Sequence, residues 1–462
     1  MTELPIKVRA FVTAVAAMMA LAAPPLLAQQ STLAQQPTLL PLSLGDAARL
    51  AAQQSAMAQG ARLRADEAQA RVRERRADLL PDLSGYVQQA GRTFNTSTLG
   101  IDLPAPPGQP PVFDPRGQVM GPVNTLDIRG RVQQNLVDFG ALGRVRSAQA
   151  AARSSSADAE ATAEQSATMA TNAYVRAMRA DADLHARQAD TVLATELLRI
   201  AQSQLQAGTG VGLDVTRARA QLAATRASLI ASRNARDHAH LDLLRSLSLP
   251  IGTDIVLTDS LTTNAARTEP IPDEEALVTQ ALRARPDLLA EEQRVQAARQ
   301  GLSAIRAERL PTLGLVADDG IIGKDGARLL NTYTWGLQVT VPFFDGFRRE
   351  ARMQEQRSVV KEAEIRQHDL EQQARVDVRG AVLDIAAARE QLDAASERLR
   401  LAEQEVAQAR DRFNAGVAGN ADVVNASLAL TASRTLVNDA ETAYQLARVS
   451  LARATGSVTT LR

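Results

Sequence analysis

Few residues of this chain are arranged as catalytic or ligand-binding residues usually are. Gly208–Gly212 reads Gly-Thr-Gly-Val-Gly, but it follows a predicted helix and lacks the lysine that a phosphate-binding loop requires. His238 and His240 are two positions apart, a spacing that points them in different directions on a helix, so they predict no metal site. The sequence contains no cysteine, no Gly-x-Ser-x-Gly and no His-Glu-x-x-His. We therefore predict no catalytic residues, no cofactor and no bound metal.

Two aspartates are notable for their position. Asp214 and Asp422 each lie shortly after an Ala-Gly pair that ends in Gly208 or Gly416, and each is followed by valine. A carboxylate after a glycine-containing turn is typical of a helix start, where it can cap free backbone N–H groups. Helix capping is therefore one interpretation of both aspartates.

The two turns belong to an internal repeat. Leu80-Pro81 recurs as Leu310-Pro311 (311 − 81 = 230), and Asp214 recurs as Asp422 (422 − 214 = 208). The first copy therefore has 230 − 208 = 22 more residues between its landmarks. Repetition on this scale indicates two copies of one structural unit.

Composition favours long helices over several compact cores. Of 462 residues, 45% are hydrophobic but only 3% are aromatic. Residues 144–207 contain neither Gly nor Pro, and residues 347–415 contain only Gly380. A helix of about 65 residues would be about 100 Å long. The balance of 52 basic and 52 acidic residues argues against nucleic-acid binding.

The second long segment has the pattern of a coiled-coil seam. Apolar and small residues recur three and four positions apart, which indicates antiparallel helices packed with a left-handed twist. The seam comprises Leu392, Ala395, Leu399, Ala402, Val406, Ala409 and Phe413, then Leu430, Ser433, Val437, Ala440, Tyr444, Ala447, Leu451 and Ala454. The first copy has a weaker seam at Leu184, Leu198, Leu205, Leu222, Leu229 and Leu243, interrupted by Arg187 and Arg236.

Four segments between the helices alternate apolar and polar residues, which is the pattern of β-strands. They are Leu83–Gly91, Leu126–Gln133, Leu313–Ala317 and Tyr333–Val341. Such strands fit a membrane barrel, with lipid outside and water inside, or a soluble sheet packed on a helix. Aromatic residues near their ends suit a girdle at the membrane interface: Tyr333, Trp335, Phe343, Phe344 and Phe139. The pattern alone favours neither alternative.

The strands are predicted to pair as two hairpins, one with the long loop Thr96–Asn124 and one with the shorter loop Asp318–Thr332. Four strands cannot close a barrel, and an open edge is not viable in lipid. If the strands cross a membrane, the chain must oligomerise, and a trimer would supply twelve strands.

The N-terminus resembles an export signal. Lys7 and Arg9 precede an apolar stretch that ends at Ala23 and is too short to span a bilayer. Cleavage could follow Ala28 or come as late as Ala34, and a membrane anchor is the alternative. No other stretch is long and apolar enough for a membrane helix, so we expect any membrane crossing not to be helical.

In order and spacing, these features resemble the TolC family of outer-membrane channel proteins. The matching motifs are Arg285-Pro286-Asp287-Leu288, Leu310-Pro311, Val341-Pro342-Phe343-Phe344-Asp345-Gly346, Leu136-Val137-Asp138-Phe139-Gly140, and Phe413-Asn414-Ala415-Gly416 before Asp422-Val423. Each motif alone is weak, whereas their order and duplication are specific. The resemblance implies a trimer without enzymatic activity, in which a twelve-stranded outer-membrane barrel continues into a periplasmic tunnel of twelve helices.

We therefore predict a mostly α-helical chain with a β-barrel portion, built from two tandem repeats. The parts are a signal peptide at 1–28, a first repeat at 29–249 with strands at about 83–135, a linker at 250–274, and a second repeat at 275–462 with strands at about 313–341. The resemblance implies that the tunnel is built from segments at about 44–80, 138–248, 275–310 and 346–455. It places the linker on the outer belt of the tunnel.

The resemblance also implies a constriction at the periplasmic tip. Asp422 matches one of two aspartates that the family places there, and three copies would form a carboxylate ring that attracts cations. The second aspartate corresponds to Asn425, an amide that should weaken cation selectivity. Asp214 matches an aspartate that holds the tip closed, but its arginine partner is replaced by Ala418. We hypothesise that Arg217 instead pairs with Asp214 or with Asp422 of a neighbouring chain.

The tip turns Gly208–Gly212 and Gly416–Asn420 are, by resemblance, the docking loops for a periplasmic adaptor, through Gly208, Gly212, Gly416 and Asn420. The predicted partners are two further copies of the chain, the adaptor, an inner-membrane pump and outer-membrane lipid. We therefore predict an outer-membrane channel of a tripartite efflux or type I secretion system. The alternative is a periplasmic or surface coiled-coil scaffold with a small soluble sheet, which osmotic shock would release.

Overall fold

A computed structural model of the chain describes residues 40–99, 108, 117–261, 273–324, 328–415, 417 and 419–461. The predicted signal peptide and residues 262–272 of the predicted linker lie outside the described residues. So do Gly416 and Ala418, which were predicted to belong to the docking loop and to the altered closing contact.

Helices make up most of the described chain. They are α1 (Leu44–Gln54), α2 (Ala56–Ala77), α3 (Phe139–Gln206), α4 (Gly212–Ser246), α5 (Glu274–Ala284), α6 (Pro286–Ala307), α7 (Arg348–Asn414) and α8 (Asn420–Thr455). The strands are β1 (Leu40–Leu42), β2 (Asp82–Asn95), β3 (Val119–Val137), β4 (Ile255–Leu257), β5 (Thr312–Lys324) and β6 (Leu330–Thr340). Short 3₁₀ helices occur at Thr96–Leu99 and Val458–Thr460. The predicted fold class is confirmed.

The two shorter tunnel segments, 44–80 and 275–310, are each divided into two helices by a single extended residue. Ser55 is extended, with φ −60° and ψ 144°, and its hydroxyl accepts a hydrogen bond from Ala58 N–H, so it ends α1 and caps α2. Arg285 is extended because it precedes Pro286, whose ring disfavours the helical conformation of the residue before it. The predicted tunnel segments 44–80 and 275–310 therefore each contain two helices separated by one extended residue.

The two longest helices, α3 and α7, contain 68 and 67 residues. Each packs on the helix that follows it, α3 on α4 and α7 on α8, and contacts between α3 and α8 join the two repeats. The predicted seam between α7 and α8 is present, since Leu392, Ala395, Ala440, Tyr444 and Ala447 form one apolar cluster. Ala402, Val406, Ala426 and Leu430 form another, nearer the tip.

The seam predicted in the first copy is only partly correct. Leu222 and Leu243 are buried, but Leu205 is exposed in the last turn of α3. Leu197, which was not in the predicted seam, is buried against Phe413 and Val423 of the second repeat. The apolar stripe of α3 is therefore shared between α4 and the neighbouring repeat, and this obscures its period in the sequence.

The strands β2, β3, β5 and β6 form one antiparallel sheet in that order. The sheet therefore contains both predicted hairpins, joined through β3 and β5. The predicted loops Thr96–Asn124 and Asp318–Thr332 are too long, because β3 already begins at Val119 and β5 continues to Lys324. Within the described part of the chain, neither β2 nor β6 pairs with a further strand, so both are open edges. One face is apolar, and its large side chains on the edge strands are exposed: Leu83, Val87, Tyr333, Trp335, Leu337 and Val339. On the other face, Arg129 contacts Asp127 at 2.7 Å and Asp318 at 2.8 Å.

A second, two-stranded sheet was not predicted. β1 and β4 pair in parallel, with Leu40 opposite Ile255 and Leu42 opposite Leu257. They cover an apolar cluster between α1, α3 and α4 that we call the equatorial core, formed by Leu42, Tyr174, Leu243, Leu244, Leu247, Ile255 and Leu261 among others. The part of the predicted linker from 250 to 261 thus contributes a strand to a core.

Candidate functional site

The candidate site lies where the two long helical hairpins turn. The first turn joins α3 to α4, and the second joins α7 to α8. In the first turn, the N–H groups of Thr209 and Gly210 each donate to the carbonyl oxygen of Gln204 at 3.0 Å. Gly208 has φ +73°, a conformation that favours glycine. These features explain why the turn is short and why glycine occupies position 208.

Asp214 and Asp422 occupy equivalent positions in the first turns of α4 and α8. The residues at the capping positions are Val211 and Gly419, and neither makes a side-chain capping bond. The N–H of Asp214 donates to Val211 O at 3.0 Å, and the N–H of Asp422 donates to Gly419 O at 3.2 Å. The aspartates are therefore not the N-cap residues, and the helix dipole favours their negative charge at this position.

Arg217 makes only a loose contact with Asp214. Its Nη1 lies 4.0 Å from Asp214 Oδ1, and the two side chains are 49% and 16% exposed. An ion pair this long and this exposed contributes little to stability. Asp422 and Asn425 are both exposed on α8, and the roles predicted for them in selectivity remain predictions.

The position of Asn420 differs from its predicted place on the docking surface. Its side chain is fully buried, so it cannot present an exposed surface to an adaptor as predicted. Instead, its Nδ2 donates a 2.8 Å hydrogen bond to the backbone oxygen of Asp214. Gly208 and Gly212 are exposed, and their predicted part in docking remains a prediction.

The described tip also exposes apolar side chains that were not predicted to lie on a surface. They are Val211, Leu213 and Val417, together with Leu205, which was predicted to lie in a seam, and they are between 42% and 72% exposed. These residues flank the turn glycines, and a bulky apolar residue beside a glycine in a surface turn was the signal available in the sequence. Exposed apolar residues at the end of a helical bundle favour contact with another protein.

Arg285, from the Arg-Pro-Asp-Leu motif, lies outside the tip and joins α5 and α6 to α7. It is 5% exposed and contacts Asp287 at 2.7 Å and Asp377 at 2.9 Å. Burial alone would raise the pKa of Asp287, but the hydrogen bonds from Arg285 outweigh it and hold that pKa below its usual value. The motif is therefore a structural contact at a helix break.

His240 contacts a carboxylate. Its Nε2 lies 3.1 Å from Asp181 Oδ1, which also accepts from Arg236 Nε at 3.0 Å. Burial alone would raise the pKa of Asp181, but the bonds from His240 and Arg236 lower it. Among the described residues, no group of three or more His, Asp or Glu side chains is placed to hold a metal ion. In the same part of the chain, no helix combines the length and the apolarity needed to cross a bilayer.

Solved structures of outer-membrane channels contain the same arrangement of a four-stranded sheet continued by two long helical hairpins. The structure resembles VceC of Vibrio cholerae with a TM-score of 0.72 and 19% identity, covering 89% of this chain and 96% of that one. It resembles the open state of the Neisseria gonorrhoeae MtrE outer membrane channel with a TM-score of 0.72 and 16% identity, covering 93% and 94%. At these identities the likeness concerns the fold.

Sequence comparison assigns the family. The family described as "Outer membrane efflux protein" matches residues 47–248 and 277–457, and the chain belongs to it. The predicted family and outer-membrane location are thereby confirmed. Outer membrane efflux protein BepC of Brucella suis is 28% identical over 59% of this chain, and the match spans 59% of BepC. Alkaline protease secretion protein AprF of Pseudomonas aeruginosa is 27% identical over 70% of this chain and 67% of AprF.

Proposed function

We propose that three copies of this chain form a passive exit channel through the outer membrane. The sheet is the observation that carries the proposal, because it has two open edges and a face of exposed apolar side chains. In hydrocarbon, each unpaired backbone group costs several kcal/mol, so open edges must be closed. Pairing β6 of one copy with β2 of the next closes a barrel of 3 × 4 = 12 strands, with the apolar face towards lipid.

The tip is the proposed gate. Three copies of Asp422 around the axis would form a ring of carboxylates, and three copies of Asn425 would form a ring of amides one turn further into the tunnel. Carboxylate rings favour cations, whereas amides add no charge. We therefore expect a cation-preferring channel whose selectivity depends mainly on Asp422.

We also propose that the channel serves a tripartite efflux or type I secretion system. The exposed apolar residues around Gly208 and Gly212 support docking of a periplasmic adaptor, and the adaptor would connect the channel to an inner-membrane pump. The names of the similar proteins refer both to efflux, as in BepC, and to protease secretion, as in AprF. They support a conduit whose cargo is selected by the pump.

Fractionation followed by conductance recording tests this function. The mature chain should remain with the outer membrane after osmotic shock, require detergent for extraction and have the mass of a trimer by light scattering. In planar bilayers it should conduct, and Asp422→Asn should reduce the preference for cations, with the same-sized change Asp411→Asn near the end of α7 as the control. A monomer released by osmotic shock and stable without detergent would instead indicate a scaffold protein.

A further inference from the structure

Asn420 connects the two repeats at the tip. It is the first residue of α8, and its Nδ2 donates to the carbonyl oxygen of Asp214 in the first turn of α4. The two residues are 206 positions apart in sequence. The starts of α4 and α8 are therefore joined directly by one side chain that is fully buried.

Gln204 makes a second connection at the other ends of the turns. Its Nε2 donates to the carbonyl oxygen of Phe413 at 3.1 Å, so the end of α3 is joined to the end of α7. Its own carbonyl oxygen accepts from the N–H groups of Thr209 and Gly210. We call Asn420 and Gln204 the amide clasp, because both ends of the first tip turn are held against the second repeat by an amide.

Stability alone does not account for asparagine at this position. Asn420 Oδ1 is buried and has no hydrogen-bond partner among the described residues. A buried acceptor without a partner is destabilising, and an apolar side chain of similar size would avoid that penalty. What asparagine supplies is a neutral donor aimed at the opposite turn.

The amide clasp differs in character from the charged contact beside it. The Arg217–Asp214 pair is long, and its arginine is half exposed, so salt screens it. The amide clasp is neutral and carries no titratable group, so neither salt nor protonation acts on it directly. It also lies beside the apolar contact of Leu197, Phe413 and Val423, which excludes water from the same region.

We propose that the amide clasp, rather than an ion pair, fixes the two tip turns of each chain against one another and thereby sets the resting aperture of the channel. This inference rests on the proposed channel function. In it, Asn420 and Gln204 are positioning residues that act through the two turns and do not touch cargo. The resting aperture is consequently insensitive to salt and to moderate changes in pH.

Asn420→Asp tests the proposal because it keeps the shape and removes the donor. A carboxylate cannot donate to the oxygen of Asp214, but the protonated acid can. Burial raises the pKa of a carboxyl group above its usual value near 3.9. The charged groups on the elements packed here are Asp214 and Arg217 on α4, Asp422 on α8, and Asp411 and Arg412 on α7, whereas residues 200–206 of α3 are uncharged.

Single-channel recording of the full trimer supplies the measurement. At neutral pH, we expect Asn420→Asp to raise the ratio of open to closed time about tenfold. This is the factor expected when one buried hydrogen bond is lost. The ratio should return towards the wild-type value as the pH falls and the new carboxyl group is protonated. The wild-type ratio should change little over the same range of pH and salt.

Asn234→Asp is the matched control, because it makes the same chemical change at an exposed position of α4 away from the tip. It should leave the ratio of open to closed time unchanged at every pH. Gln204→Glu repeats the test at the second bond, and it replaces Asn420→Asp if that variant does not assemble. If Asn420→Asp and Gln204→Glu both kept the wild-type ratio of open to closed time, the amide clasp would be overturned. A wild-type chain that forms no channels would overturn the proposed function instead.

Discussion

Large apolar side chains are buried in the equatorial core but exposed on the four-stranded sheet. Tyr174, Leu243 and Leu247 in the core are fully buried by other parts of the same chain. Tyr333 and Trp335 on β6 are 72% and 68% exposed. Both regions contain strands and large apolar residues, so residue type alone does not separate them. The core is complete within one chain, whereas the sheet requires further copies and lipid.

The two tyrosines show the physical difference. The Tyr174 hydroxyl donates to Leu42 O at 2.8 Å and accepts from the N–H of Asp259 at 3.4 Å. Burial raises the pKa of this hydroxyl, because the charged form would be poorly solvated there. Tyr333 faces outwards from an edge strand. A tyrosine in that position suits a membrane interface, where its ring contacts lipid and its hydroxyl contacts water.

Tyr174→Ala should have the largest effect on the stability of the protein. Removing a buried aromatic side chain leaves a cavity and two broken hydrogen bonds, and it should lower the free energy of unfolding by about 4 kcal/mol. The measurement is the urea midpoint of the trimer in detergent. Tyr333→Ala, the matched control, should change the free energy of unfolding by less than about 1 kcal/mol. Equal losses in the free energy of unfolding for the two variants would contradict the difference between the equatorial core and the sheet.

Leu337→Arg tests the outward face of the sheet. An arginine facing lipid near the bilayer midplane costs about 2–4 kcal/mol in a membrane barrel. Thr334→Arg places the same side chain on the opposite face, where Asp318 is its neighbour across the strand pair, so it should be tolerated. The measurement is the free energy of folding into lipid vesicles. If the Thr334 variant were the more damaging one, the proposed orientation of the sheet would be reversed.

Asp181→Asn tests a polar contact at the margin of the equatorial core. Because the pKa of Asp181 is lowered in the folded chain, its charged form contributes stability above the usual carboxyl pKa of 3.8, and that stability is lost as the pH falls through the folded value. At pH 7 the substitution should cost about 1–2 kcal/mol. The difference from wild type should shrink below about pH 4.

Urea midpoints measured at several pH values provide this comparison. Asp237→Asn is a control, since that carboxylate also contacts Arg236 but is 65% exposed. A difference between wild type and Asp181→Asn that stays constant down to acidic pH would contradict the assigned role of the carboxylate.

Trp335 gives the smallest expected effect but the most direct test of where the sheet lies. It is the single tryptophan of the chain, so its fluorescence can be followed on its own. In vesicles, its emission should be quenched by lipids with brominated acyl chains, because its side chain lies on the exposed apolar face near the middle of β6. A Trp335→Phe trimer reports the background emission from tyrosine. Quenching only by water-soluble quenchers would place the outward face of the sheet in water.

Local patterns in the sequence were sufficient for the main elements. The alternation from Tyr333 to Val341 predicted β6, and the three-four spacing around Leu392 and Tyr444 predicted the contact between α7 and α8. Both signals come from residues that face one environment along a regular element. β1 and β4 were missed because three-residue strands contain too few residues for a period to be visible.

The sequence by itself determined the duplication, the long helices, the two hairpins and the positions of Asp214 and Asp422 after their turns. These features depend on spacing along the chain, and spacing can be counted. Only the tertiary structure decided that Asn420 is buried against Asp214 and that Leu197 faces the other repeat. Those contacts join residues more than two hundred positions apart, and the environment of a side chain in such a contact is set by the packing of the helices.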